Sequence, residues 1–335
     1  MNKTNSSDFY LTKDDWFKTF GSSWIRDSLY LFAILPTSLL GFLFNMLNLF
    51  IFTRKTFNKK PLYTYLRAYT INCMLLNFLL IFLFTANSYR YIEFSYSNWI
   101  PSYFISYVYV PFLNIGLFYS SVLDLCICIE RNSQFISKFK RIFKFSSFKM
   151  CLVLLLVAVL LNVHFFFANF PTYAQIKLDS ATNLTIYYSS NANFTTSLAG
   201  IVLTNTVLIL RDLICLLIQT ILNIALIVSF KNQLNNKKKI VTSNRLQASE
   251  QSISKADRRL TLMVIIMFLI ETVEHVLQNV SFVYFIFFYS YTSFIIISFS
   301  GLVISLKCFS NIFLFYNFNK LFKLEFQKLF KFFSK

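Results

Sequence analysis

Ser120-Ser121-Val122-Leu123-Asp124-Leu125-Cys126-Ile127-Cys128-Ile129-Glu130-Arg131-Asn132 closes a long apolar segment and ends it on an acid beside an arginine. The residues before it, from about 103, are apolar enough to lie in lipid. The residues after it carry Lys138, Lys140, Arg141 and Lys144. Glu130-Arg131 therefore marks the place where the chain leaves a hydrocarbon medium for a basic, aqueous segment. An adjacent acid and arginine at such a boundary can hold a charge-assisted hydrogen bond. What that bond serves depends on the rest of the chain.

Of the 335 residues, 56% are hydrophobic, 43 are Phe and only 14% are charged. The apolar residues come in blocks long enough to cross a hydrocarbon core about 30 Å thick. There are seven, at about 29–53, 62–87, 103–129, 149–170, 201–230, 260–288 and 292–316. Peptide groups in lipid must be satisfied within their own segment, so each block is expected to be a helix. The expected fold class is an all-α membrane protein, a seven-transmembrane helix bundle with its N-terminus outside and an amphipathic eighth helix at the cytoplasmic surface. Residues 1–28 form an extracellular tail, 29–316 the bundle, and 317–335 the eighth helix and a short cytoplasmic tail.

The net charge of +18 is distributed as a membrane protein distributes it. With residue 1 outside, 24 of the 32 Lys and Arg fall on cytoplasmic segments and six on outer ones, with Arg211 and Lys307 inside helices. This is the positive-inside bias. It makes membrane lipid a partner and removes nucleic acid as the reason for the basicity. The glycosylation sequons at Asn2, Asn5, Asn183 and Asn193 all fall on the expected outer side, while Asn279 lies inside a helix. All six cysteines lie in apolar segments and read as small core residues, with no disulfide framework or metal-ligand spacing. Residues 1–28 are polar and the first apolar block is too long for a cleaved signal, so the first helix is expected to act as its own insertion signal. No phosphate loop or Ser/His/Asp pattern is present, and no enzyme activity or cofactor is implied.

Several motifs stand in order along the helices. Asn45 lies within the first, with Asn48 as its competitor; Asn72-Cys73-Met74-Leu75-Leu76-Asn77 in the second; Glu130-Arg131-Asn132 at the foot of the third; Phe268 in the sixth. Asn311-Ile312-Phe313-Leu314-Phe315 ends the seventh, and Asn319-Lys320-Leu321-Phe322-Lys323 follows it. In that order they resemble the rhodopsin-like G-protein-coupled receptors, whose corresponding motifs are Asn-Leu-Ala-x-Ala-Asp, Asp/Glu-Arg-Tyr, Asn-Pro-x-x-Tyr and Asn-Lys-x-Phe-Arg. The likeness spans about residues 29–333 and is to a divergent, invertebrate orphan, chemosensory or peptide-receptor type. Departures are concrete. Asn77 replaces the sodium-binding aspartate, the sixth helix lacks the Trp and Pro, and the fourth lacks its Trp. The disulfide to the third helix is absent, with Ser106 near its place. The last segment supports itself independently: Phe318, Leu321, Phe322, Phe326, Leu329, Phe330 and Phe333 recur at helical spacing among Lys320, Lys323, Lys328 and Lys331, as in a helix lying in the headgroup plane.

Charges within the blocks need partners or a use, since each costs about 2.5–3.5 kcal/mol at helix centre on insertion scales. They are Asp124, Arg211, Asp212, Glu271, Glu274 and Lys307. An opsin-like lysine is expected at Ser305, and Lys307 points about 200° away from it on a helix, so no retinal cofactor is implied. Lys307 is expected instead to be a built-in cation paired with Asp124 or Glu271, within a core polar network that includes Asn45 and Asn77. Leu113, Arg211, Asp212, Glu274 and His275 form a candidate ligand pocket, their alternative being helix-to-helix pairing; Leu113 stands where the resemblance puts the amine-binding residue, so a monoamine is not the expected ligand. His164 reads as a packed or interfacial residue. A hairpin is expected in 171–200, from alternation such as Leu184-Thr185-Ile186-Tyr187. The resemblance implies a plasma-membrane receptor for an extracellular peptide or small molecule that activates a heterotrimeric G protein through Glu130, Arg131, Asp257, Asn311 and Phe315. A channel or transporter using the intramembrane charges is the rival reading, although no internal repeat is apparent.

Overall fold

The computed structural model describes residues 28–57, 60–88, 99–133, 146–177, 183–241, 248–287 and 291–333. The outer-tail sequons Asn2 and Asn5 lie outside them. Seven helices among the described residues are long and apolar enough to cross a membrane. Helix α1 is Tyr30–Phe52, opening with a π turn at Tyr30–Ile34, and α2 is Pro61–Ser88. Helix α3, Phe104–Ser133, also opens with a π turn, at Phe104–Tyr109. Helix α4, Ser147–Phe167, ends in 3-10 geometry from Val163.

Strands β1 (Asn169–Lys177) and β2 (Asn183–Asn191) pair antiparallel, with Tyr173 opposite Tyr187. Helix α5 comprises Leu198–Leu208, a π turn at Ile209–Ile214 and Cys215–Val241. Helices α6 and α7 are Ala248–Phe287 and Tyr291–Phe318, and α8 is Lys320–Phe333.

Several expected boundaries move: α5 runs on past 230 to Val241, and α6 begins at Ala248 rather than 260. The foot motif Glu130-Arg131-Asn132 is not past the end of α3 but inside its last turn, because the helix runs on to Ser133. Residues 169 and 170 belong to β1 rather than to the fourth helix. The break before the last helix falls at Asn319, since α7 continues through Phe318. Asn319 Oδ1 accepts from the backbone N–H of Phe322 at 3.2 Å, satisfying a donor that a helix start leaves open.

Helix α3 packs against α2, α4, α5 and α6, and α7 closes the bundle against α6, α1 and α2. The hairpin rests on the Ile100–Tyr103 turn and the start of α3, which defines a hairpin end of the bundle opposite the end that carries Arg131. Packing is inside out relative to a water-soluble protein. On α1 the buried positions include Ser38, Gly41, Asn45 and Asn48, while Leu39, Leu40, Leu43, Met46 and Phe50 are exposed. Apolar side chains gain nothing by leaving lipid, so helices associate through small and polar residues instead.

Gly41 and Gly116 are required by close approach. A Cβ on Gly41 would stand 2.7 Å from Asn77 Nδ2, and one on Gly116 would stand 2.8 Å from Leu76 Cδ2. At the Arg131 end an aromatic cluster joins α1, α2, α7 and α8. Phe52 lies 5.0 Å from Phe315, 5.3 Å from Phe322 and 6.1 Å from Tyr63, ring centre to ring centre. Gly41→Ala should therefore destabilise the protein by about 1–3 kcal/mol through the forced displacement of the buried Asn77 amide. Gly301→Ala, whose Cβ would meet its nearest neighbour at an ordinary 3.8 Å, should be neutral. Thermal unfolding in lipid nanodiscs distinguishes the two.

Candidate functional site: a buried charge network

The charged residues of the spans converge on one place. Helix α5 supplies Arg211 and Asp212 from its π turn, and both are buried although adjacent in sequence. A π turn widens the helix locally and is common at functional sites; nothing in the local sequence announces it. Arg211 donates to Asp212 twice, Nε to Oδ1 at 2.6 Å and Nη2 to Oδ2 at 2.8 Å. Its remaining arm, Nη1, donates to Asn114 Oδ1 on α3 at 3.2 Å. The geometry is the two-pronged fit of guanidinium to carboxylate.

Asp212 Oδ1 also faces His275 Nδ1 of α6 at 2.9 Å. The other imidazole nitrogen, Nε2, lies 3.2 Å from Ser121 Oγ and 3.5 Å from Glu271 Oε1. His275 thus bridges two carboxylates from two helices. Glu271 is held in turn by Gln219 Nε2 of α5, which donates to Oε2 at 2.9 Å. At the centre lies Lys307 of α7. Its ammonium stands 2.8 Å from Glu274 Oε2, 3.5 Å from Glu271 Oε1 and 3.7 Å from Asp124 Oδ2. It donates to Ser120 Oγ at 3.2 Å and sits 5.7 Å from the ring centre of Tyr69 on α2. No charged member of the network is more than 5% exposed.

The sequence reading placed Lys307 with Asp124 or Glu271. Both surround it, but Glu274 is nearer than either, and that residue had been assigned to a ligand pocket. Arg211, Asp212 and His275 likewise meet one another and the Lys307 cluster, as in the helix-to-helix pairing considered as their alternative. Leu113 is half-buried and packed against the core. Asn45, not its competitor Asn48, crosses the bundle: its Nδ2 donates at 2.8 Å to the carbonyls of Gly41 and of Cys308 on α7. Asn77 stands apart; neither amide atom has a hydrogen-bond partner among the described residues.

Toward the opposite end, Arg131 is 1% exposed, and its Nη2 donates to Thr261 Oγ1 of α6 at 3.1 Å. Thr261, one turn beyond the expected Asp257, was missed because a hydroxyl among apolar residues carries no charge signal. The Asp257 side chain itself lies outside the described residues. Glu130 is half-buried. Asn132 donates to the carbonyls of Cys128 and, across to α5, Leu222 at 3.0 Å. Asn311 Nδ2 faces Cys73 Sγ at 3.4 Å, and Phe315 lies in the aromatic cluster. Asn193 is exposed beside the hairpin; the side chain of Asn183, at the start of β2, lies outside the described residues.

No protein-family model matches the chain, and no curated protein matches it.

Removing one member of a buried ion cluster leaves the rest uncompensated, which costs about 3–5 kcal/mol. Lys307→Met should therefore sharply lower folded yield and thermal stability. Adding Glu274→Gln should recover more of the loss than adding Asp124→Leu, because Glu274 makes the closest contact. Fluorescence-detected size exclusion and melting of the three variants test the order.

Proposed function

We infer that this chain is a divergent rhodopsin-like G-protein-coupled receptor of the plasma membrane. Its N-terminus is outside, and it binds an extracellular peptide or small molecule, not a monoamine, at the hairpin end. It activates a heterotrimeric G protein at the Arg131 end. The observation that carries this reading is the link between Arg131 on α3 and Thr261 on α6. An arginine buried at one end of the central helix donates a charge-assisted hydrogen bond to the neighbouring helix. Such a bond is worth about 1.5–3 kcal/mol when one partner is charged, which a ligand with modest preference between two arrangements can overcome.

Ligand binding shifts the bundle only by its differential affinity for the two arrangements. In the ligand-favoured one the Arg131 end of α6 moves outward, Thr261 leaves, and Arg131 becomes available to a Gα subunit. Glu130 beside it and Asp257 on α6 are the acids that would hold the arginine at rest. Asn311 and Phe315 would relay movement of α7. Helix α8 supports the orientation. Phe322 is buried against Phe52, whereas Lys323 and Lys328 are exposed, the arrangement of a helix lying on an anionic, cytoplasmic lipid surface.

The charge network favours a second reading, a channel or transporter, because buried ionisable residues commonly mark ion paths. The two are separated by basal activation across a panel of Gα subunits, comparing the unchanged chain with Arg131→Ala at matched surface expression. A signal abolished by Arg131→Ala is the expected result and names the Gα class. A signal that survives the substitution refutes the role of Arg131. Conductance or uptake without any G-protein signal favours the rival.

A further inference from the structure

The buried network holds more acid than base. Its carboxylates are Asp124, Asp212, Glu271 and Glu274; its permanent cations are Arg211 and Lys307, and His275 can supply one more. Arg211 and His275 both face Asp212, and Lys307 makes its shortest contact with Glu274. Asp124 and Glu271 are left to share what remains of the Lys307 charge. Both approach the same ammonium, Asp124 Oδ2 from α3 at 3.7 Å and Glu271 Oε1 from α6 at 3.5 Å.

The oxygens that these two residues turn toward the ammonium, Asp124 Oδ2 and Glu271 Oε1, have no hydrogen-bond partner among the described residues. The two residues are 3% and 0% exposed. Two carboxylates crowded on one ammonium in low-dielectric surroundings do not both stay ionised; one proton between them turns repulsion into a hydrogen bond.

We propose that Asp124 and Glu271 form a proton-binding site joining α3 to α6, with one proton held between the two carboxyls while the helices are packed and given up when they part. On release, one carboxyl O–H bond breaks, the proton passes to water, and two carboxylates remain. With this proton in place and a second on His275, the network is neutral: Asp212, Glu274 and one of the pair balance Arg211, Lys307 and the imidazolium.

The titratable or charged groups facing the pair include Tyr69 and Cys73 from α2, Cys126 and Cys128 from α3, and Cys215 from α5. Glu274 and His275 face it from α6, and Lys307 and Cys308 from α7. Of these, His275 is the group that ordinarily titrates near neutral pH, so the test must separate it from the pair. The packed arrangement binds one more proton than the parted one. Acid therefore favours packing and rising pH favours parting, by at most about tenfold in the ratio per pH unit. A link from this proton to signalling rests on the receptor reading; the proton itself does not.

The test is infrared difference spectroscopy on the purified full chain in lipid nanodiscs, with spin labels reporting the α3–α6 distance. The wild type should show a buried, protonated carboxyl band at neutral pH that shifts in heavy water. Asp124→Asn and Glu271→Gln should each remove it, and His275→Gln should leave it. The α3–α6 distance should lengthen as pH is raised from about 5 to 8 in the wild type and be insensitive to pH in Asp124→Asn.

A packed wild type without the band overturns the proposal, and this measurement needs no variant to fold. A band that survives both substitutions also overturns it. A band with the expected distance shift, in a protein that activates no Gα subunit, keeps the proton site and removes the receptor reading.

Discussion

The Lys307 ammonium among three carboxylates is the interaction on which the bundle's arrangement depends. An ammonium buried in hydrocarbon without compensation would cost several kcal/mol, so α7 can adopt only rotations that deliver Lys307 to Glu274, Glu271 and Asp124. Those acids in turn fix the faces of α6 and α3, and His275 carries the constraint on to Asp212 of α5. Four helices are thereby set in rotation and height by one connected set of contacts. In a soluble protein the hydrophobic effect would do much of this; between helices in lipid it supplies no driving force. Buried charge is an expensive device for stability and a strict one for register, because every wrong rotation leaves a charge unpaired.

The remaining polar contacts extend this geometry toward Arg131 in steps of a helical turn. Gln219 on α5 holds Glu271 of the network. One turn on, Asn223 donates to its carbonyl at 2.9 Å and faces Cys128 Sγ of α3 at 3.3 Å. Cys128 offers its carbonyl to Asn132, which also reaches Leu222 of α5. Asn132 is adjacent to Arg131. The α3–α5 seam is thus stitched by amides between the charge network and the Arg131 end, so these two helices move together more readily than apart. The weaker seam is α3–α6, joined by Arg131 to Thr261 at one height and by Glu271 and His275 at another.

Much of this was readable from sequence, for physical reasons. Blocks of about 20 apolar residues have one solution in lipid, so the seven spans were legible, whereas the polar extensions of α5 to Val241 and of α6 back to Ala248 were not. The alternation around Leu184 to Tyr187 gave the hairpin, and the Phe and Lys spacing after Asn319 gave α8. Rotation of the helices was not legible. Helices α5 and α6 are apolar on every face, so periodicity does not say which side is buried, and Glu274 could not be distinguished from a pocket-lining acid. The π turn at Ile209–Ile214 hid the joint burial of Arg211 and Asp212, because on a regular helix neighbours diverge by about 100°. Thr261 was invisible for another reason: its role depends on what faces it, and only the packing of α3 against α6 supplies that.

The absence of Pro from α6 and the presence of acids there belong to one argument. Across Ala248–Phe287 there is neither Pro nor Gly, and sharp helix kinks almost always have such a cause. The receptor family resembled here bends its sixth helix at a proline, but a helix without that break responds as a rod. Its fulcrum would be the stretch Glu271 to His275, where three other helices meet its side chains. Thr261 lies ten residues from Glu271, about 15 Å along the axis. A small tilt about the charge network is enlarged over that arm and falls on the contact between Thr261 and Arg131. The unbroken helix and its buried charges are then two aspects of one arrangement, in which an electrostatic pivot outside the helix stands in place of a hinge within it.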